Sequence, residues 1–335
     1  MTAAAIESGI KIAAQMSPEA TETDFQFVKQ MGVDYAVLWT GGDKAGAEYY
    51  AAAKKRFAEH GITVYGFGNR AVHNQDAITL ELENRDAKIE EYKQHLRNLG
   101  QAGISYTTYA HMANGIWSTE RETTRGGASA RAYDAAKADK GHWDGTYYPV
   151  PLSHGRVYAE DEIWENFTYF IKQVAPVAEE EDVFIGIHPD DPPQPELAGV
   201  PRCIFSSFEG YRRAMEIAGS PNVGLCLCVG CWLEGGDLMG KGVLETIKYF
   251  GEQNKIFKVH FRNVDAPLPH FVETFVDNGY MDMYKVMKAL RQVNFNGIII
   301  PDHIPQMADD PRLGTAYTIG YMKALVDRVN AEAIS

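Results

Sequence analysis

The chain has 335 residues, 45% of them hydrophobic, and 32 Lys and Arg face 45 Asp and Glu for a formal net charge of −13. That length suits one large α/β domain, and the acidic balance argues against nucleic acid or an anionic membrane surface as a partner, because both select a basic footprint. A small anionic ligand stays open, since a local cluster of Arg or Lys can oppose the global sign.

Of the four Cys, three stand at Cys226, Cys228 and Cys231, which is no disulfide framework and suits a reducing cytoplasm. The opening stretch from Met1 to Ser8 lacks a basic region followed by an apolar one, so no secretion signal is expected. No window approaches about 18 consecutive apolar residues, so no membrane-spanning helix is expected either.

Short runs rich in Val, Ile and Phe, bounded by Gly and Pro, predict buried parallel strands at residues 10–16, 35–40, 63–69, 104–112, 183–189, 223–230, 256–263 and 297–303. Helical spacing fills the intervals. Phe25, Val28 and Met31 precede the second strand, residues 51–57 the third, and Tyr92, Leu96 and Leu99 the fourth. Ile171, Val174 and Val177 precede the fifth, Leu244, Ile247 and Phe250 the seventh, and Met283, Val286, Met287 and Leu290 the eighth. Residues 317–329 form a closing helix. Such an alternation predicts one (β/α)₈ barrel over residues 1–335, with right-handed crossovers. Its one irregularity is a long polar insertion after the fourth strand, residues 113–161, which holds Arg121, Arg125 and Arg131. A loop this long on the catalytic face is expected to serve as a lid, a binding loop or a subunit contact. Barrel enzymes often pair through such loops, so a homo-oligomer is expected.

Four strands end in groups that bind metals: His188, Cys228, His260 and Asp302. Neighbouring strand ends lie about 4.8 Å apart, so these four can share one ion. Two imidazoles, a thiolate and a carboxylate suit Mn²⁺, Fe²⁺, Co²⁺ or Zn²⁺ better than Mg²⁺ or Ca²⁺. A lone His on a strand is usually structural, but His188 leads into Pro-Asp-Asp-Pro-Pro, a rigid turn. Its Asp190 and Asp191 either hold the imidazoles from behind or form the turn. A structural zinc site on the Cys-x-Cys-x-x-Cys run lacks a second Cys pair, and Cys226 reads as a small core residue. His303 and Tyr317 lie beyond the last strand and would make an acid/base pair, although their spacing alone is a weak signal. The chain has no GxGxxG after a strand, no Walker loop and no GxSxG elbow, so nucleotide binding and serine hydrolysis lack support.

The combination resembles the mannonate dehydratase family of the xylose-isomerase-like barrel group. The matching pieces are His188 to Pro193, Gly224 to Gly230, His260 to Val264, Gly279 to Met283 and Pro301 to His303, in the family's order. Upstream, Leu96 to Ile104 and Trp117 to Arg121 are also similar. The resemblance implies a cytoplasmic hydro-lyase whose four donors hold a divalent ion, usually Mn²⁺ (Fe²⁺ or Co²⁺ would serve). It implies His303 and Tyr317 as the acid and base, with D-mannonate converted to 2-keto-3-deoxy-D-gluconate. The surrounding residues depart from the family. Ile300 and Ile304 replace its Arg and Gly, Val276 its His, and Tyr280 an acidic residue, while the third strand ends Gly-Phe-Gly-Asn-Arg. The substrate carboxylate therefore needs another clamp, for which Arg70, Arg125, Arg262 and Asn263 are the candidates. A divalent-metal sugar isomerase or epimerase is the alternative enzyme, and a non-catalytic sugar-acid binder the alternative outside catalysis.

Overall fold

The computed structural model describes residues 8–333; the opening stretch read above for a secretion signal lies outside them, up to Glu7. Eight strands form the centre: β1 (Lys11–Met16), β2 (Tyr35–Thr40), β3 (Thr63–Asn69), β4 (Tyr106–Tyr109), β5 (Phe184–Ile187), β6 (Val223–Cys228), β7 (Ile256–His260) and β8 (Ile298–Ile300). All ladder pairings among them are parallel, in the order β3-β2-β1-β8-β7-β6-β5-β4. The two edges meet. A Cβ on Gly66 of β3 would stand 2.9 Å from the Tyr106 carbonyl of β4, and just beyond these strands Asn74 bridges to Ala110. The barrel closes there because a glycine admits the neighbouring backbone.

Eight longer helices surround the strands: α1 (Glu22–Gln30), α2 (Ala47–Glu59), α3 (Arg85–Gln101), α4 (Glu160–Glu180), α5 (Phe208–Ala218), α6 (Val243–Gly251), α7 (Met283–Gln292) and α8 (Pro311–Glu332). Their starts are written locally. Thr21 caps α1 in a reciprocal box with Asp24, Ser207 caps α5, Asp282 caps α7, and Asp310 followed by Pro311 opens α8. Sequence reading passed over α5, although Phe208, Tyr211, Ala214, Met215 and Ala218 line its buried face at helical spacing.

The insertion after β4 is not structureless. Lys140–Trp143 pairs with Thr146–Pro149 on one side and Ile116–Trp117 on the other. Ala132–Asp134 pairs with His270–Thr274, which follows β7 and pairs in turn with Asn263–Val264. Backbone ladders therefore tie the insertion to the loop beyond β7. No helix among the described residues is long and apolar enough to cross a membrane.

Candidate metal centre

Strands β5 to β8 deliver their last residues to one point. His188 follows β5, Cys228 and His260 end β6 and β7, and Asp302 stands two residues past β8. Cys228 and His260 are register partners across the β6–β7 ladder, which sets them side by side. The hydrogen bonds also settle which nitrogen faces inward. His188 Nδ1 lies 2.7 Å from the Pro189 carbonyl and must donate to it, so Nε2 carries the lone pair. That Nε2 is 3.2 Å from His260 Nδ1, which is 3.3 Å from Asp302 Oδ2. The Cys228 sulfur lies 4.0 Å from the same carboxylate oxygen. His260 turns its other nitrogen to Cys226 Sγ, at 3.5 Å, so Cys226 backs a donor.

These distances fit an ion. Donors bonded at about 2.1 Å in a tetrahedral site stand about 3.4 Å apart. The electrostatics agree. Burial would raise the Cys228 thiol, but the Cys231 hydrogen bond and the Arg262 charge bring it well below its usual range. Burial would likewise raise Asp302, yet His260, His303 and Arg262 hold it well down. Burial would lower His260, and Asp302 and Cys226 override that upward. Buried anions and imidazoles drawn toward a positive charge form a cluster short of cations, which is what a metal ion corrects.

Behind the donors lies a buried ionic network. Arg262 donates through Nε to Asp302 at 2.9 Å and through Nη1 to Glu273 at 3.0 Å. Its Nη2 reaches Asp191 at 3.1 Å and Cys231 Sγ at 3.3 Å, and Nη1 also meets Glu234. Arg131, from the insertion, donates to Asp191 at 2.6 Å and Glu273 at 2.9 Å. Glu273 accepts from His303 Nδ1 at 2.7 Å. Burial alone would raise Glu273, but His303, Arg262 and Arg131 bring it to about 2. Burial raises Glu234 to about 8 in spite of Arg262. Desolvation would lower His303, whose side chain is still 39% exposed, and Asp302 and Glu273 lift it to about 9.

This network engages two of the expected substrate clamps. Arg262 is 2% exposed and its three nitrogens are engaged, and Asn263 is fully buried with Nδ2 donating to the Val276 and Met281 carbonyls. Both support the site from inside and are not open to a ligand. Arg70 opens the short helix Arg70–His73 and is exposed. Arg125 is paired with Asp277 at 2.7 Å, and its Nη2 reaches the Tyr317 hydroxyl at 3.4 Å. Tyr317 sits on α8, edge-on to Phe275, so its contacts are at the rim and not with the metal donors. Asp191 grips the two arginines, and Asp190, raised to about 6 by burial, faces Arg202; the imidazole of His188 uses a carbonyl instead. Of the departures from the family pattern, Ile300 is fully buried, and Ile304 packs on α8 so closely that a Cβ on Gly314 would stand 2.9 Å from it. Val276 is buried, and Tyr280 donates to the Leu233 carbonyl at 2.6 Å. Sequence reading missed Glu273, Glu234 and Arg131, whose partners lie far away in the chain. It also missed His73, for which His-Asn after the third strand was the available signal.

A family model described as D-mannonate dehydratase (UxuA) matches residues 19–145 and 152–333. The mannonate dehydratase of Oceanobacillus iheyensis is 33% identical over 274 residues, covering 75% of each chain. The crystal structure of a mannonate dehydratase from Streptococcus suis superposes with a TM-score of 0.83 at 27% identity, over 97% of this chain and 96% of that one. A structure of L-ribulose 3-epimerase, at 11% identity and a TM-score of 0.63 over 97% of each chain, shares the fold.

Proposed function

The chain belongs to the D-mannonate dehydratase family and is a hydro-lyase, and on that premise we propose that it removes water from D-mannonate to give 2-keto-3-deoxy-D-gluconate, with Mn²⁺ held by His188, Cys228, His260 and Asp302. The observation that carries this reading is a pair of donor triads that share Cys228, His188–Cys228–Cys231 and Cys228–His260–Asp302, beside His303, whose Nδ1 is already committed to Glu273. The reaction takes a proton from C2, next to the carboxylate, and releases the hydroxyl from C3. A divalent ion, when bound, supplies Lewis-acid stabilisation of the negative charge that develops on the carboxylate side.

The chain's own groups then divide the protons. Glu273 behind His303 favours the imidazolium and leaves Nε2 to protonate the departing hydroxyl. The Tyr317 oxygen accepts from Arg125, which orients the hydroxyl that we assign to the C2 proton. Arg262 fixes the Asp302 carboxylate, and Arg131 and Arg262 together fix Glu273. Exposed Tyr147, Val150 and Val157 in the insertion support a homo-oligomer that pairs through this segment, which sedimentation would test.

Metal-stripped protein with Mn²⁺ restored, incubated with D-mannonate and read by mass, tests the reading. A product lighter by one water is expected. A product of unchanged mass would assign the site to an isomerase, and bound metal without turnover would overturn the substrate.

A further inference from the structure

Opposite the charged donors, the mouth of the barrel has an aromatic wall. Trp39, near the end of β2, packs on the interior cluster of Ala13, Val37, Ile298 and Ile300. His73, in the short helix after β3, is 6% exposed and meets Trp39 edge-on at 4.8 Å between ring centres. Trp143, from the hairpin of the insertion, lies 5.0 Å from the His73 ring. The hairpin is held down by close backbone approaches. Gly141 leaves no room for a Cβ against the Asn114 carbonyl, and Gly115, at φ +71°, leaves none against the His142 carbonyl.

The indole donors of this wall are unmatched. His73 Nδ1 donates to the Thr108 carbonyl at 2.8 Å, so Nε2 carries the lone pair. Burial lowers the ring to about 3, and it stays neutral with that lone pair available. The indole N–H groups of Trp39 and Trp143 are buried and lack an acceptor among the described residues. Buried donors are normally paired, and here two belong to rings that pack on His73, whose Nε2 is an acceptor. A hydroxyl donates once and accepts, so a run of hydroxyls answers all three, while aromatic faces cover the C–H surfaces between them.

Resting on the dehydratase reading, we propose that Trp39, His73 and Trp143 form the subsite for the hydroxylated tail of the sugar acid, leaving the charged half of the mouth to its carboxylate end. The test compares wild type with Trp143→Phe and His73→Phe, which keep a ring and remove one polar atom each. D-mannonate and a four-carbon 2,3-dihydroxy acid that lacks the tail are the substrates. Each variant is expected to raise KM for D-mannonate about tenfold, the worth of one hydrogen bond, with kcat little changed. The short acid and Mn²⁺ affinity, measured by calorimetry, are expected to stay as in wild type. Equal losses on both acids, or weakened Mn²⁺ binding, would show a merely structural wall and overturn the subsite. Unchanged KM for D-mannonate in both variants would overturn it while leaving the dehydratase reading intact. A wild type that neither binds nor turns over D-mannonate would overturn the dehydratase reading and the subsite together.

Discussion

The two halves of the barrel mouth are built from opposite materials. Around β5 to β8 stand imidazoles, thiols, carboxylates and guanidinium groups, nearly all buried. Toward β1 and β2 the interior is Ala13 and Val37, packed on Ile298 and Ile300 of the adjoining β8 and capped by Trp39 and His73. A buried charge is stable only if paired, so the charged half must be a closed network in which each group orients the next. The apolar half has no such charges to pair. The difference shows where evolution of specificity is cheapest: residues of the aromatic side can change without unpairing a charge, whereas those of the ionic side cannot.

Four measurements would break or sharpen that contrast. The largest effect belongs to the reacting group. His303→Asn is expected to lower kcat by about 10²–10⁴-fold, the usual worth of general acid catalysis, with Mn²⁺ affinity retained; full activity would remove His303 from the mechanism. Next comes the hub. Arg262→Met leaves Asp191, Glu234 and Glu273 short of a cation and is expected to cost about 3–5 kcal/mol in urea unfolding, together with weakened metal binding. A stable variant would mean that the carboxylates had taken up protons instead. At the seam, where β8 turns Ile300 into the apolar cluster, Ile300→Ala is expected to cost about 2–5 kcal/mol through the cavity it opens while Mn²⁺ affinity stays put, and a change in affinity would deny that the halves are independent.

The smallest effect lies outside the mouth, on the α1–α2 surface. His60 stacks on Phe25 at 3.9 Å, with Nδ1 donating to the Arg56 carbonyl and Nε2 at 3.1 Å from Glu22. The Arg56 carbonyl and then Glu22 raise its pKa above the ordinary value. A raised folded-state pKa stabilises the protein fully below the unfolded value near 6.5, and this contribution fades as pH rises through the folded value. His60→Gln is therefore expected to flatten thermal stability against pH just above neutrality, without touching activity.

The strands were legible because a buried parallel strand is an almost unbroken apolar run. Ile298–Ile300 and Val223–Cys228 announce themselves. That His188, Cys228, His260 and Asp302 would come near one another was legible for a related reason: in a closed barrel the carboxyl ends of neighbouring strands converge whatever surrounds them. Arg262 shows the limit. Its position two residues past His260 suggested a ligand for substrate, yet its partners Asp191, Glu234, Glu273 and Asp302 come from four separate loops, and no local pattern pairs them. His73 shows the same limit from the other side. Its acceptor nitrogen exists only because the Thr108 carbonyl, 35 residues away, takes the proton of the other.

What the amino-acid order determined by itself was local and periodic: eight apolar runs, the capping residues that start helices, and the donor types at strand ends. What only the tertiary structure decided was which charges neutralise one another, which polar atoms remain unmatched, and how the insertion is laced to the loop beyond β7. The physical reason is that hydrophobic period and capping act over a few residues, whereas pairing energies depend on distances between groups that the chain brings together only after it closes the barrel.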